Sequence, residues 1–191
     1  MNEEIKLSGL WANIFKTVSD KDDFEVVISG LPPFKDLSRK YLKELLKLVH
    51  TRTYSAGEVI FSKDDPGMGL FIVRMGEVKV FQPTEDGKEF IFANYTRGDF
   101  FGELALLDNE VRTATAAAVK ETNLAIIFKP DLDDFINQYP RQGLKILRGL
   151  SKIIITRLKL INRDHLNLYQ KLIQLNKETE DVFDKENISA G

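Results

Sequence analysis

The sequence predicts an α+β chain in three parts: helices, then a run of short strands, then helices again. Two observations carry that prediction. From about Thr51 to Phe128, short runs rich in Val, Ile, Phe and Tyr alternate with turn residues, as in a β-sandwich or barrel. On either side of this stretch the apolar residues recur at spacings of three and four, which is the helical period.

At the N-terminal end, Trp11, Ile14, Phe15 and Val18 fall at helical spacing among acidic residues and predict short amphipathic helices over residues 1–29. Leu31-Pro32-Pro33-Phe34 breaks that segment. Ser38 then reads as the N-cap of a helix that carries Tyr41, Leu42, Leu45, Leu46 and Val49.

The predicted strands are Thr51–Tyr54, Val59–Phe61, Leu70–Arg74, Val78–Gln82, Phe90–Tyr95, Thr113–Val119 and Asn123–Phe128. Asp86-Gly87 is the strongest hairpin signal between them. One string does not fit a strand. Gly102–Leu107 reads Gly-Glu-Leu-Ala-Leu-Leu, made of helix formers with no β-branched residue, and predicts a short helix embedded in the β region.

After Phe128 the pattern turns helical. Asp131–Tyr139 forms a short helix stopped by Pro140, and a long one runs from about Arg141 to Asn176. Its seam is Leu144, Leu147, Ile154, Leu158, Ile161, Leu168, Leu172 and Leu175, with Ser151 and His165 in the remaining positions. In such a seam a histidine sets register rather than ligating a metal. A second stripe, Ile146, Ile153 and Leu160, is suited to covering the strands. A helix of about 36 residues is about 54 Å long, which exceeds the width of a small domain. A second copy of the chain is the simplest partner for the seam, so a homodimer is expected. The domain scheme is an N-terminal helical segment over 1–50, a β domain over 51–129, C-terminal helices over 130–177 and an acidic tail over 178–191, expected to be disordered.

Composition narrows the function. The 191 residues include 43% hydrophobic and 29% charged residues, no cysteine, and a net charge of -2. Without cysteine there is no disulfide, thiolate zinc site or iron–sulfur ligation, and a reducing cytoplasmic setting is expected. No apolar run reaches the roughly 20 residues of a membrane span. The start, Met-Asn-Glu-Glu-Ile-Lys, has no apolar core of a secretory signal. The charge is unevenly placed. Residues 141–177 hold nine basic residues and one acid, and residues 178–191 hold five acids and one lysine. The basic stretch reads as a solvated helix face or a partner surface.

The chemistry is concentrated in Gly98-Asp99-Phe100-Phe101-Gly102-Glu103-Leu104-Ala105-Leu106-Leu107 and the Arg112-Thr113-Ala114-Thr115 that follows. A short helix opening at Gly102 points backbone N–H groups outward, and such an end suits an anion. Glycine there admits close approach of a ligand. Arg112 supplies a planar fork of donors for one phosphate. Glu103 would repel that phosphate unless it accepted hydrogen bonds from ligand hydroxyls, as a ribose beside a cyclised phosphate provides. Thr113 adds a hydroxyl for phosphate or base. Phe100 and Phe101 read as core anchors.

Phe101–Leu107 with Arg112–Thr115 resembles the phosphate-binding cassette of the cyclic nucleotide-binding domain family. Gly57-Glu58-Val59-Ile60-Phe61, the Asp65-Pro66-Gly67 turn and Leu70–Val78 resemble the blocks that precede that cassette, and the likeness covers about residues 31–165. The resemblance implies an eight-stranded β-roll of the jelly-roll type. It also implies the embedded cassette helix, helices N-terminal to the roll, and a long C-terminal helix. It implies that Arg112 pairs with the cyclic phosphate and Glu103 accepts the ribose 2′-hydroxyl. Backbone N–H groups around Gly102, Leu104, Ala105 and Ala114 would serve ribose and phosphate, and Thr113 would sit beside phosphate and base. Ile161 and Asn162 on the long helix would lie near the base. The chain departs from the family in three places: Val111 replaces a common proline, Asp64 a common glycine and Met68 a common aspartate. Thr113 permits cAMP or cGMP as ligand.

The resulting expectation is a non-enzymatic sensor of a cyclic nucleotide, with no cofactor, that signals to a separate effector protein through its long helix. No nucleophile–base pair, metal cluster or second carboxylate accompanies the cassette, which argues against catalysis. A transcription factor would need a helix-turn-helix after the long helix. Only an acidic stretch follows Asn176, so direct DNA binding is not expected unless this chain is a fragment. A domain that has lost its ligand and acts as a dimeric interaction module is a further alternative. Cysteine is absent and His50 and His165 are the only histidines, so a haem or iron–sulfur sensor is not supported.

Overall fold

A computed structural model describes residues 24–107 and 111–189. The predicted N-terminal helix around Trp11, Ile14, Phe15 and Val18 lies outside these residues, as do Asp108, Asn109 and Glu110. The described chain begins with α1 (Phe24–Gly30) and α2 (Arg39–Leu46). Ser38 takes the N-cap position in extended conformation, although its hydroxyl makes no capping hydrogen bond. Leu42 and Leu45 on α2 are buried, one turn apart on a single face.

Eight strands follow: β1 (His50–Tyr54), β2 (Val59–Phe61), β3 (Gly69–Met75), β4 (Glu77–Pro83), β5 (Glu89–Thr96), β6 (Phe100–Phe101), β7 (Thr115–Ala118) and β8 (Thr122–Phe128). They form two four-stranded antiparallel sheets in the orders β1-β8-β3-β6 and β2-β7-β4-β5. The inner residues of both sheets meet in one core, including Tyr54, Phe71, Val73, Val78, Tyr95, Phe101, Leu124 and Ile126. Phe101 stacks on Phe71 at 5.3 Å and on Tyr95 at 5.2 Å between ring centroids. Burying each such side chain contributes about 1.5–3 kcal/mol. This is the predicted β-roll. The Phe100–Phe101 pair, read from sequence as core anchors, is also a two-residue strand against Phe71 and Ile72.

The roll is followed by α3 (Lys129–Gln138) and α4 (Pro140–Ser189). Pro130 lies in the first turn of α3 and Pro140 starts α4, positions where a proline needs no helical hydrogen bond. α4 runs on through the acidic stretch from Glu178 to Ser189. The reason is local: no glycine or proline lies between Leu150 and Ala190 to end the helix.

The chain divides into two units, one up to Leu150 and one from Ser151 onward. Within the first, the start of α4 meets the Leu31–Phe34 segment. A Cβ built on Gly149 would lie 2.3 Å from the Pro32 carbonyl oxygen and 2.5 Å from Pro33 Cα, so only glycine allows this approach. Ile146 and Leu150 are fully buried there, and Leu31 and Phe34 are nearly so. Ile153 is also buried, which places Ile146 and Ile153 of the predicted covering stripe out of solvent.

Candidate functional site

The site is built where β6 ends. Gly102 has φ +77°, in the left-handed region. A Cβ there would lie 2.8 Å from Arg112 Nη1 and 3.1 Å from the Gly69 carbonyl oxygen. The left-handed backbone thus favours glycine, and a side chain there would also press on the Arg112 guanidinium. The predicted cassette helix follows as a single 3-10 turn, Glu103–Leu106, rather than an α-helix. Six residues lie between β6 and Asp108, and helical runs this short are commonly 3-10. The Ala105 N–H is engaged within this turn, on the Gly102 carbonyl at 3.3 Å.

Two charged side chains are buried here: Glu103 is 1% exposed and Arg112 6%. Arg112 donates from Nη1 to the Gly102 carbonyl (3.2 Å) and from Nη2 to the Gly69 carbonyl (3.0 Å). Its guanidinium carbon lies 4.2 Å from the centre of the Phe61 ring and 5.4 Å from that of Phe71. Its Nε is buried and has no hydrogen-bond partner. Burial lowers the Arg112 pKa, while the negative charges of Glu103 and Asp65 act in the opposite sense. A guanidinium held in this way keeps its Nε for a further acceptor.

The Arg112 backbone is fixed by the turn between β2 and β3. The Asp64 N–H donates to the Arg112 carbonyl and the Arg112 N–H to the Asp65 carbonyl, each at 2.8 Å. The Asp65 carboxylate in turn accepts from the Ser62 N–H at 2.7 Å. Asp64 itself has φ +69°, in the left-handed region that glycine adopts without strain.

The structure brings together Gly102, Glu103, Ala105 and Arg112, with Leu104 exposed on the outer side of the turn. Thr113 is exposed and Ala114 buried where the chain enters β7. Asn162 and Ile161 lie exposed on α4, in the second unit, and their place beside a base stays an expectation. Sequence reading missed Phe61, Phe71, Gly69 and Gln82. Gln82 Nε2 on β4 donates to the Thr113 carbonyl at 2.6 Å. The alternation of Phe61 and Phe71 with turn residues signalled a core, and nothing in it signalled a guanidinium between them.

Residues 51–139 match the profile of the cyclic nucleotide-binding domain. Over 132 residues the chain is 31% identical to the cyclic AMP receptor protein of Thermus thermophilus, a match covering 69% of this chain and 59% of that protein. The N-terminal domain of a transcriptional regulator from Streptomyces coelicolor superposes with a TM-score of 0.63 at 30% identity, covering 69% of this chain and 94% of that domain. The chain belongs to the cyclic nucleotide-binding domain family. It is also 36% identical over 100 residues to the cAMP-dependent protein kinase regulatory subunit of Mycosarcoma maydis, covering 52% of this chain and 19% of that protein. This chain thus spans three fifths or less of the length of these curated relatives. Among the described residues, no helix is long and apolar enough to cross a membrane, and no group of His, Cys, Asp and Glu is placed to hold a metal ion.

Proposed function

We propose that this chain is a cytoplasmic sensor of a cyclic purine nucleotide, cAMP or cGMP. The observation that carries the reading is the buried Arg112, with an unpaired Nε, beside the buried carboxylate of Glu103 and the close-approach glycine. One compact ligand that presents an anion to the unpartnered Arg112 Nε and a hydroxyl to Glu103 fits this arrangement. Arg112 takes the cyclic phosphate through charge-assisted bonds. Glu103 accepts the ribose 2′-hydroxyl. The backbone around Gly102, Leu104, Ala105 and Ala114 closes on ribose and phosphate. Thr113 faces phosphate and base.

Arg112 would exchange its carbonyl partners at Gly69 and Gly102 for phosphate oxygens. That exchange pulls on the cassette turn and on β3 together, and the chain from Lys129 onward transmits it to α4 as a population shift. The output is a homodimer built through the α4 seam and acting on a separate effector protein. Support for the seam comes from exposure: Leu144, Leu158, Ile161, Leu172 and Leu175 are each at least half open to solvent in one chain.

Calorimetry of cAMP and cGMP binding tests the reading, with Arg112→Ala as the control. One nucleotide is expected to bind at micromolar affinity or tighter. The variant is expected to lose about 1.5–3 kcal/mol, or roughly 10-fold to 150-fold. Binding of neither nucleotide, or equal binding by the variant, overturns it.

A further inference from the structure

Beyond Ser151, α4 presents apolar residues on two stripes. One is the seam through Leu158, Ile161, Leu168, Leu172 and Leu175. The other lies beside it and is centred on Leu166, Tyr169 and Ile173, which are 55%, 57% and 40% exposed. Asn162 and Asn176, both exposed, continue that second stripe at its two ends. Together the stripes cover about 160° of the helix, wider than the seam a two-stranded coiled coil buries. A dimer that closes the seam leaves the second stripe in water.

The second stripe has an internal symmetry. Read along positions 162, 166, 169, 173 and 176, the residues are Asn, Leu, Tyr, Ile, Asn, so the order of chemical classes is the same in both directions. A parallel in-register pair has no use for this, because each residue meets its own copy. An antiparallel pair about a two-fold axis requires it, because residue i meets j while j meets i. With the axis at Tyr169, Asn162 of one copy meets Asn176 of the other, and Leu166 falls within one residue, about 1.5 Å along the helix, of Ile173. The same axis lays residues 149–160 of one helix along residues 178–189 of the other. The first stretch holds three basic residues and no acid, and the second five acids and one lysine. An antiparallel pair sets these opposite charges together, and a parallel pair sets like beside like. Exposed ion pairs are weak, so charge here selects direction while the apolar stripe supplies the adhesion.

We propose that the Leu166–Tyr169–Ile173 stripe docks antiparallel on the same stripe of a second copy of this chain, with the two-fold axis at Tyr169. Combined with a seam dimer, the particle is a tetramer, and that step alone rests on the reading of the seam given above. Without the seam contact the stripe gives an antiparallel dimer.

The chain has no cysteine, so single introduced cysteines report position cleanly. Full-length Leu166→Cys and Ile173→Cys are mixed and oxidised. The mixed 166–173 disulfide is expected to dominate over both symmetric products. Predominance of 166–166 and 173–173 links, or no links, overturns the proposal. Sedimentation equilibrium supplies the second readout: Tyr169→Glu is expected to halve the particle mass with helix content unchanged. An unchanged mass overturns it, as does binding of this face to phosphatidylglycerol vesicles by a chain that shows no cross-link. The cross-link reads the stripe alone, so failure of the seam and failure of the stripe are told apart.

Discussion

The two halves of the molecule break the usual rule of burial in opposite senses. In the β-roll, Arg112 and Glu103 are charged and buried, among aromatic rings. On distal α4, Leu158, Ile161 and Leu172 are apolar and more than half exposed. Both arrangements cost free energy in an isolated chain, by desolvation in one case and by unburied apolar surface in the other. Under the proposed function each is answered differently: Arg112, with its unpartnered Nε, by a small anion, and the long exposed stripe by another helix.

The largest effect that sharpens this contrast is expected at the charges. Arg112→Met leaves the Glu103 carboxylate buried without its neighbouring cation and is expected to cost about 3 kcal/mol in urea unfolding. Adding Glu103→Leu removes the second charge and should recover at least about 1 kcal/mol of that loss, while nucleotide binding stays abolished. A double variant less stable than the single would mean that the two charges do not act as a pair. On the helix the same logic runs the other way. Leu168→Glu is expected to leave the urea midpoint of the roll within the about 0.5 kcal/mol typical of surface changes, while seam dimers separate in sedimentation. A roll that unfolds in this variant would join the two halves and break the comparison.

Much of this was legible in the sequence, for reasons that differ along the chain. Seven strands could be read because aromatic and β-branched residues there are bounded by Gly, Asp and Pro turns. β6 could not be read as a strand, since two residues are too short to display a period of two. Gly102, Glu103 and Arg112 could be picked out because their spacing is local. The bond from Arg112 to Gly69, the Phe61 ring above it and the clamp at Asp64 and Asp65 are contacts across 43 or more residues. No local pattern encodes those. The acidic tail carries two opposed signals: its charge suggests disorder, while the equally visible absence of Gly and Pro lets α4 continue.

Gly102→Ala probes the joint between the site and the fold. The left-handed backbone there costs a side chain about 1–2 kcal/mol. The new methyl also meets Arg112 Nη1 at 2.8 Å, and the far end of a flexible side chain can move away. Stability is therefore expected to fall by no more than the backbone cost. Nucleotide affinity should fall by more than that, because the guanidinium is displaced from the place proposed for the phosphate. Equal losses in thermal unfolding and in calorimetric binding would show that Arg112 tolerates the methyl in place.

The smallest effect is expected at Asp64, and it bears on how the roll holds its buried charge. Asp64 takes a left-handed conformation that glycine adopts without strain, and its N–H holds the Arg112 carbonyl. Asp64→Gly relieves that strain but frees the unfolded chain, so the two terms oppose each other. Relief of a left-handed residue is worth about 1–2 kcal/mol and somewhat less for aspartate, and the entropy of an added glycine returns about 0.4–1 kcal/mol. A net gain of about 0.5 kcal/mol in urea unfolding is the expected result. Because the clamp uses backbone atoms only, nucleotide affinity should not change. A weaker-binding Asp64→Gly variant would show that the turn must be stiff, and not merely correctly shaped, to keep Arg112 aimed at its ligand.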